Sequence, residues 1–318
     1  MATDSPAKDR TATPSADARI LAHLRLMRPA NIVTAVADIL AGFAICGGAA
    51  GLIALGTEAI ASPLFSPLLW LCLSTIGLYG GGIVFNDVFD AELDRRERPE
   101  RPIPSGLASI ASAGTLASLL LAAGIGAAFM VSLSSGIIAA AVTSLAVLYN
   151  AWGKHQSWFG PVNMGLCRGG NLLLGASAVP LSLTEVWPLG LVPVVYIAAV
   201  TTVSRGEVHG GNRHALSSGA VLYLAVLATL VTLAAMVPAG WHAAPFALLL
   251  AWLIFPPLAR AWKTLDPRLV GKAVKAGVLS LIVLNSTLAS IFAGWQYGIA
   301  VLALLPLSLW FARTFAVT

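Results

Sequence analysis

Charge is the scarcest thing in this 318-residue sequence. Asp, Glu, Lys and Arg together make up 10% of it, against about 25% in a soluble globular domain. With 58% of its residues hydrophobic, the chain has too little polar surface to cover a water-soluble particle, which excludes an ordinary soluble domain. Cysteine is scarce too. Cys46, Cys72 and Cys167 lie inside apolar stretches with neither disulfide nor zinc spacing, and read as small packing residues. The first residues lack the apolar core and small-residue cleavage site of a signal peptide. Residues 1–22 are polar, with Pro6 and Pro14, and read as a disordered cytoplasmic tail ahead of a membrane domain over 23–318. Lys and Arg are missing from every second turn, so the net charge of +5 gives no indication of nucleic-acid binding.

What is abundant is long apolar runs, each near the roughly 20 residues that a helix needs to cross a bilayer core. Ten are expected, near 31–53, 66–85, 107–129, 133–150, 161–180, 187–204, 216–237, 243–260, 274–294 and 296–315. The expected fold is therefore an all-α, polytopic bundle of nine to ten transmembrane helices embedded in the lipid bilayer. Basic residues cluster before the first run (Arg25, Arg28) and after the second (Arg95, Arg96, Arg98, Arg101). They recur after the fourth (Lys154), the sixth (Arg205, Arg213), the eighth (Arg260, Lys263, Arg268, Lys272, Lys275) and the tenth (Arg313). The intervening turns carry Glu58 and Glu185 but no Lys or Arg. The positive-inside rule then puts the basic loops and both termini in the cytoplasm.

The few acids that exist are concentrated. Asn86, Asp87, Asp90 and Asp94 close the second run, and on one continuous helix they would share an arc of about 100°. Like charges on one face repel by a few tenths of a kcal/mol per close pair, so something positive should offset them. A hard divalent cation with oxygen ligands is the simplest candidate. Mg²⁺ is normally held by one or two carboxylates together with substrate phosphates, which suggests a metal-diphosphate site at a membrane surface. Arg168, with Asn163 and Asn171 near the same helical face, sits inside the fifth run. A charge within a span costs roughly 2.5–3.5 kcal/mol on insertion scales and normally faces the bundle interior. Arg168 therefore reads as cavity-lining, on diphosphate or on a polar acceptor, with pairing to a buried carboxylate as the structural alternative.

The string Asn86-Asp87-x-x-Asp90-x-x-x-Asp94, followed by Arg101-Pro102-Ile103-Pro104-Ser105-Gly106, resembles the first signature of the UbiA superfamily of intramembrane prenyltransferases. Arg28-Pro29-Ala30-Asn31 is similar to that family's first-span opening, and Tyr149 to Lys154 to its Tyr-x-x-x-Lys element with one residue more. The resemblance covers about residues 25–315. It implies helices around a central cavity, with a prenyl chain transferred from a polyprenyl diphosphate donor to a small acceptor. On that reading Asp87, Asp90, Asp94 and the neutral oxygen of Asn86 hold Mg²⁺, while Asn31, Arg101, Tyr149 and Lys154 face substrate. Tyr149, Trp152 and Phe89 are the aromatic candidates for facing an allylic cation. It also implies an inner (cell) membrane location with the active-site loops cytoplasmic.

The second signature departs from the family. Where several aspartates are expected, the chain reads Ser204-Arg205-Gly206-Glu207-Val208-His209-Gly210-Gly211-Asn212-Arg213. Glu207, helped by Asn212, is left as a candidate metal ligand, or Arg205 and Arg213 grip diphosphate in place of a second ion. Glu207 and His209 are candidate general bases toward the acceptor. This wording is similar to the EboC-like branch of the superfamily, and leaves the acceptor open between a quinone-type aromatic and a polar alcohol. A non-catalytic prenyl-lipid binder or transporter on the same fold is the alternative reading.

Overall fold

The computed structural model describes residues 15–156, 159–205 and 212–315, and the described residues contain helices and no strand. In chain order the α-helices are α1 (Ala16–Leu26), α2 (Pro29–Ile45), α3 (Gly48–Leu55), α4 (Phe65–Phe89), α5 (Ala91–Glu97), α6 (Ile110–Phe129), α7 (Leu133–Ala151) and α8 (Phe159–Ala176). They continue with α9 (Leu183–Val186), α10 (Leu191–Ser204), α11 (Arg213–Met236), α12 (Ala244–Thr264), α13 (Pro267–Leu279), α14 (Leu281–Ala293), α15 (Trp295–Leu302) and α16 (Leu304–Thr314). Among the described residues, counting short flanking pieces and kinked pairs as one, 8 helical stretches are long and apolar enough to cross a membrane, and α1 with α2 makes a ninth across a 43° bend. Helix α8 is less apolar than these, because Asn163, Arg168 and Asn171 interrupt its sequence, and those three side chains are buried in the bundle. The nine to ten expected spans fit this arrangement.

Helix starts follow local chemistry. Ser109 and Ser112 form a reciprocal capping box at α6, and Ser132 and Asn212 cap α7 and α11. Asp266 caps α13, with Pro267 at its first position. The ninth apolar run therefore begins as a helix at Pro267, earlier than hydropathy places it, and carries Arg268, Lys272 and Lys275 on an amphipathic first half. The first run, expected unbroken to residue 53, splits into α2 and α3 because Gly47 takes a left-handed backbone (φ 82°). The tail expected over residues 1–22 is helical from Ala16 onward, with Ala22 and Leu26 buried; residues 1–14 lie outside the described set. The last hairpin is tight: Gly294 turns the chain at φ 85°, and Ser286 Oγ donates across it to the Gly298 carbonyl at 2.5 Å.

Helix α14 runs through the middle, with Leu281 to Ile291 all buried, against α2, α12 and α15. Helix α2 packs on α8 at backbone contact. A Cβ on Gly42 would lie 2.0 Å from the Leu172 carbonyl oxygen, and one on Gly175 2.3 Å from that of Ile39. Gly42→Val should therefore lower stability by about 3 kcal/mol, because the obstruction is backbone and cannot rotate away. The check is the thermal midpoint of the detergent-purified protein; an unchanged midpoint would mean that the two helices are not in this contact.

Candidate functional site

The acidic motif sits where α4 gives way to α5. Helix α4 ends at Phe89, Asp90 adopts φ −88° and ψ 0°, and α5 resumes at Ala91, with the Asp94 amide donating to the Asp90 carbonyl at 2.8 Å. The helix is thus interrupted at Asp90 rather than continuous as the spacing suggests. The Arg101–Gly106 loop closes beside it. Ala108 N donates to the Pro102 carbonyl (3.0 Å), Gly106 takes φ 80°, and Arg101, Pro102 and Ile103 are buried. That loop delivers the Arg101 guanidinium between two carboxylates: Nη1 donates to Asp94 Oδ2 at 2.7 Å and approaches Asp87 Oδ1 at 3.4 Å.

Each remaining carboxylate also meets a cation from another helix. Arg28, at the head of α2, donates from Nη2 to Asp87 Oδ1 at 2.5 Å. Lys154, in the short turn after α7, pairs with Asp90. Arg28 reaches Asp87 from a left-handed backbone (φ 47°), a conformation that costs a non-glycine residue energy and is concentrated at functional sites. The positive partners that the repulsion argument demands are therefore Arg28, Arg101 and Lys154. As they stand, no three His, Cys, Asp or Glu side chains among the described residues converge closely enough to hold a metal ion, since each carboxylate is turned onto its cation. Within the acidic motif, the buried Asp87 Oδ2 has no partner, and a hard cation would satisfy it. Asn86 fits the same purpose: its amide nitrogen is spent on Asn150 Oδ1 (3.1 Å), so what it can still offer is its carbonyl oxygen. The oxygens of Asp87, Asp90, Asp94 and Asn86 are the hard donors that would suit Mg²⁺. The outlying acid, Glu92, pairs with Arg95 on the exposed side of α5.

Below the motif a cavity of about 460 Å³ opens between α2, α4, α7, α8, α10, α13 and α14. Arg28, Asn31, Asn86, Tyr149 and Arg168 line it, all but Arg28 named from sequence as site residues. The aromatic rings on its wall are Tyr149 and Tyr79; Phe89 and Trp152 are about half exposed and are not part of it. Arg168 does not point at the acidic motif. Nη1 donates to Asp38 Oδ2 (2.9 Å), Nη2 to Thr34 Oγ1 (2.5 Å), and the guanidinium lies 5.0 Å from the Tyr79 ring centroid. Asn171 and Asn285 donate to the same aspartate, at 3.0 and 2.6 Å. Asp38 was invisible to motif spacing, although a carboxylate in the middle of an apolar run is itself a signal.

The second loop is less complete. Glu207 and His209 lie outside the described residues. Arg205 closes α10 at an exposed position. Asn212 Oδ1 is taken up in capping α11 through the His214 amide (2.9 Å), and Arg213 stacks 5.4 Å from the Trp262 ring. Neither side chain is directed at the acidic motif in this arrangement.

Residues 43–276 match the model of the UbiA prenyltransferase family. The chain belongs to that family. Among curated UbiA-family relatives, digeranylgeranylglyceryl phosphate synthase of Methanoculleus marisnigri is 32% identical over 207 residues, covering 61% of this chain and 67% of that one. The protein of the same name from Methanococcoides burtonii is 35% identical over 159 residues, covering 49% and 54%. The matched stretch thus spans between about half and two thirds of these relatives' length. A UbiA homologue from Aeropyrum pernix superposes with a TM-score of 0.63 at 16% identity, over 81% of this chain and 96% of that one. One from Archaeoglobus fulgidus, bound to GPP and Mg²⁺, superposes at 0.59 and 15% identity, over 89% and 99%. At those identities the likeness establishes the shared UbiA fold.

Proposed function

We propose that this protein is a multi-pass membrane prenyltransferase that moves a prenyl group from a polyprenyl diphosphate to a small acceptor with the help of Mg²⁺. The observation that carries it is the set of three carboxylates paired with Arg28, Arg101 and Lys154, beside a largely apolar cavity that Arg28 and Asn86 line. Such a set holds both charges that a metal-diphosphate pair needs. The fold of relatives that hold GPP and DMAPP with Mg²⁺, and the names of the curated relatives, support it.

Mg²⁺, held by Asp87, Asp90, Asp94 and the Asn86 carbonyl oxygen, would supply positive charge to the diphosphate as it leaves. Arg28, Arg101 and Lys154 would exchange their carboxylates for diphosphate oxygens, Arg through a planar fork and Lys as a point charge. The apolar wall would receive the hydrocarbon tail and keep water from the allylic carbon, with Tyr149 as a ring face toward it. The allylic C–O bond breaks, the acceptor's nucleophilic atom bonds to that carbon, and the acceptor gives up a proton. Glu207 and His209 are proposed to take that proton, and Glu207 to serve as any second metal ligand; Arg205, Asn212 and Arg213 would assist in the same loop. The sequence from Ser204 to Asn212 is the basis for placing the chain in the EboC-like branch. Active-site loops on the cytoplasmic side of the cell membrane follow from the one-sided basic loops.

The test is binding of geranylgeranyl diphosphate to the purified protein with Mg²⁺ and after EDTA. Removing the metal should weaken binding by about tenfold or more, a change of about 1.4 kcal/mol. Binding indifferent to Mg²⁺ would favour the non-catalytic lipid binder, a reading to which the ready-made ion pairs on every carboxylate lend some weight. In turnover assays, Glu207→Gln should impair the acceptor step more than donor binding; equal losses in both would make Glu207 a metal ligand rather than a base.

A further inference from the structure

The cavity has a polar floor that the donor does not explain. Along α4 the Arg168–Tyr79 stack lies about 12 Å below Asp87, and Thr75 about 18 Å below it, at 1.5 Å per residue. The wall between is apolar, including Leu78, Val142, Ala146, Met164 and Val200. Arg168 is 3% exposed, lines this space, and has spent only part of its five N–H groups, on Asp38 and Thr34. An apolar prenyl tail packed against it would leave its remaining N–H groups unmet. An acceptor lying between the carboxylates and the floor would present one end to the donor and an oxygen to the guanidinium.

The sign of that oxygen's charge follows from Asp38. The aspartate accepts from Arg168, Asn171 and Asn285, so the floor's positive charge is matched one for one. An anionic ligand group would add an uncompensated negative charge in a buried place, where charge is costly. Resting on the prenyltransferase reading above, we propose that Arg168, held by Asp38 and Thr34, is the acceptor's anchoring site, and that it takes a neutral oxygen, a hydroxyl or carbonyl, rather than a carboxylate or phosphate. Asp38 and Thr34 are positioning residues; Arg168 touches the ligand.

A matched pair of probes tests this: 4-hydroxybenzyl alcohol and 4-hydroxybenzoate, alike except that one carries CH₂OH where the other carries COO⁻. Equilibrium binding is measured on the full chain in lipid nanodiscs, without donor. Wild type should hold the alcohol about tenfold more tightly than the carboxylate. Asp38→Asn leaves the arginine charge unmatched and should reverse the order. Thr34→Ala should weaken both probes without changing their order, which keeps the test alive if Asp38→Asn does not fold. Equal binding of the pair, binding of neither, or a preference that ignores Asp38→Asn in a folded protein overturns the proposal. Geranylgeranyl diphosphate binding with Mg²⁺ is run alongside. Its loss in wild type would sink the donor reading and leave the probe result to stand separately, whereas its loss in Asp38→Asn alone would assign the floor to the donor and overturn the acceptor site.

Discussion

Asp90→Asn should lower prenyl transfer by about a hundredfold to a thousandfold while leaving the protein folded, the scale expected when one group that stabilises developing charge is removed. Asp90 sits at a helix junction with its side chain 19% exposed and Lys154 as its ion-pair partner. An amide keeps the shape and one oxygen but drops the charge, so a metal held there would lose a strong ligand and Lys154 would lose only a resting partner. Asp87→Asn should be equally damaging to turnover but should also lower the melting temperature, because Arg28 and Arg101 both lean on that one oxygen in a buried setting. Steady-state rates at saturating donor, read beside thermal midpoints, separate the two. An Asp90→Asn enzyme with wild-type turnover would remove the metal role assigned to the motif.

The second large effect is on stability. Asp38→Ala should cost about 3–5 kcal/mol, since it strands the Arg168 charge in the interior and leaves Asn171 and Asn285 without their common acceptor. Replacing both members, Asp38→Leu with Arg168→Met, should recover much of that loss, because the burden lies in the unpaired charge and not in the missing pair. Unfolding of the single and double variants in the same detergent decides it. A double variant no more stable than Asp38→Ala would show that the neighbouring amides, not the ion pair, carry the effect.

Much of this architecture was legible in the sequence, for reasons that can be stated. Apolar length marks membrane crossings whatever the packing, so α4, α6, α7, α11 and α12 lie close to their expected positions. Pro267 and Gly47 moved two boundaries because capping and left-handed backbone are local effects to which hydropathy is blind. The acidic motif and Arg101 are neighbours in sequence, and their proximity survived folding. Arg28–Asp87 and Lys154–Asp90 are 59 and 64 residues apart, and no spacing rule reaches across such gaps. Arg168 could be flagged because a lone charge in a span is anomalous. Whether it faced ligand or carboxylate depended on Asp38, which only the α2–α8 contact brings near.

That same contact bears on how the chain is made. Asp38 enters the membrane with the first span, but Arg168 follows 130 residues later and Asn285 247 residues later. At ribosomal rates of about 5–20 residues per second, the last of these partners arrives roughly 12–50 s after the aspartate. Until Arg168 emerges, about 7–26 s after it at those rates, the nascent helix holds a carboxylate with no mate from its own chain. Biogenesis of this bundle therefore calls for an insertion machinery, or a wet passage through it, that shelters α2 until the later helices emerge.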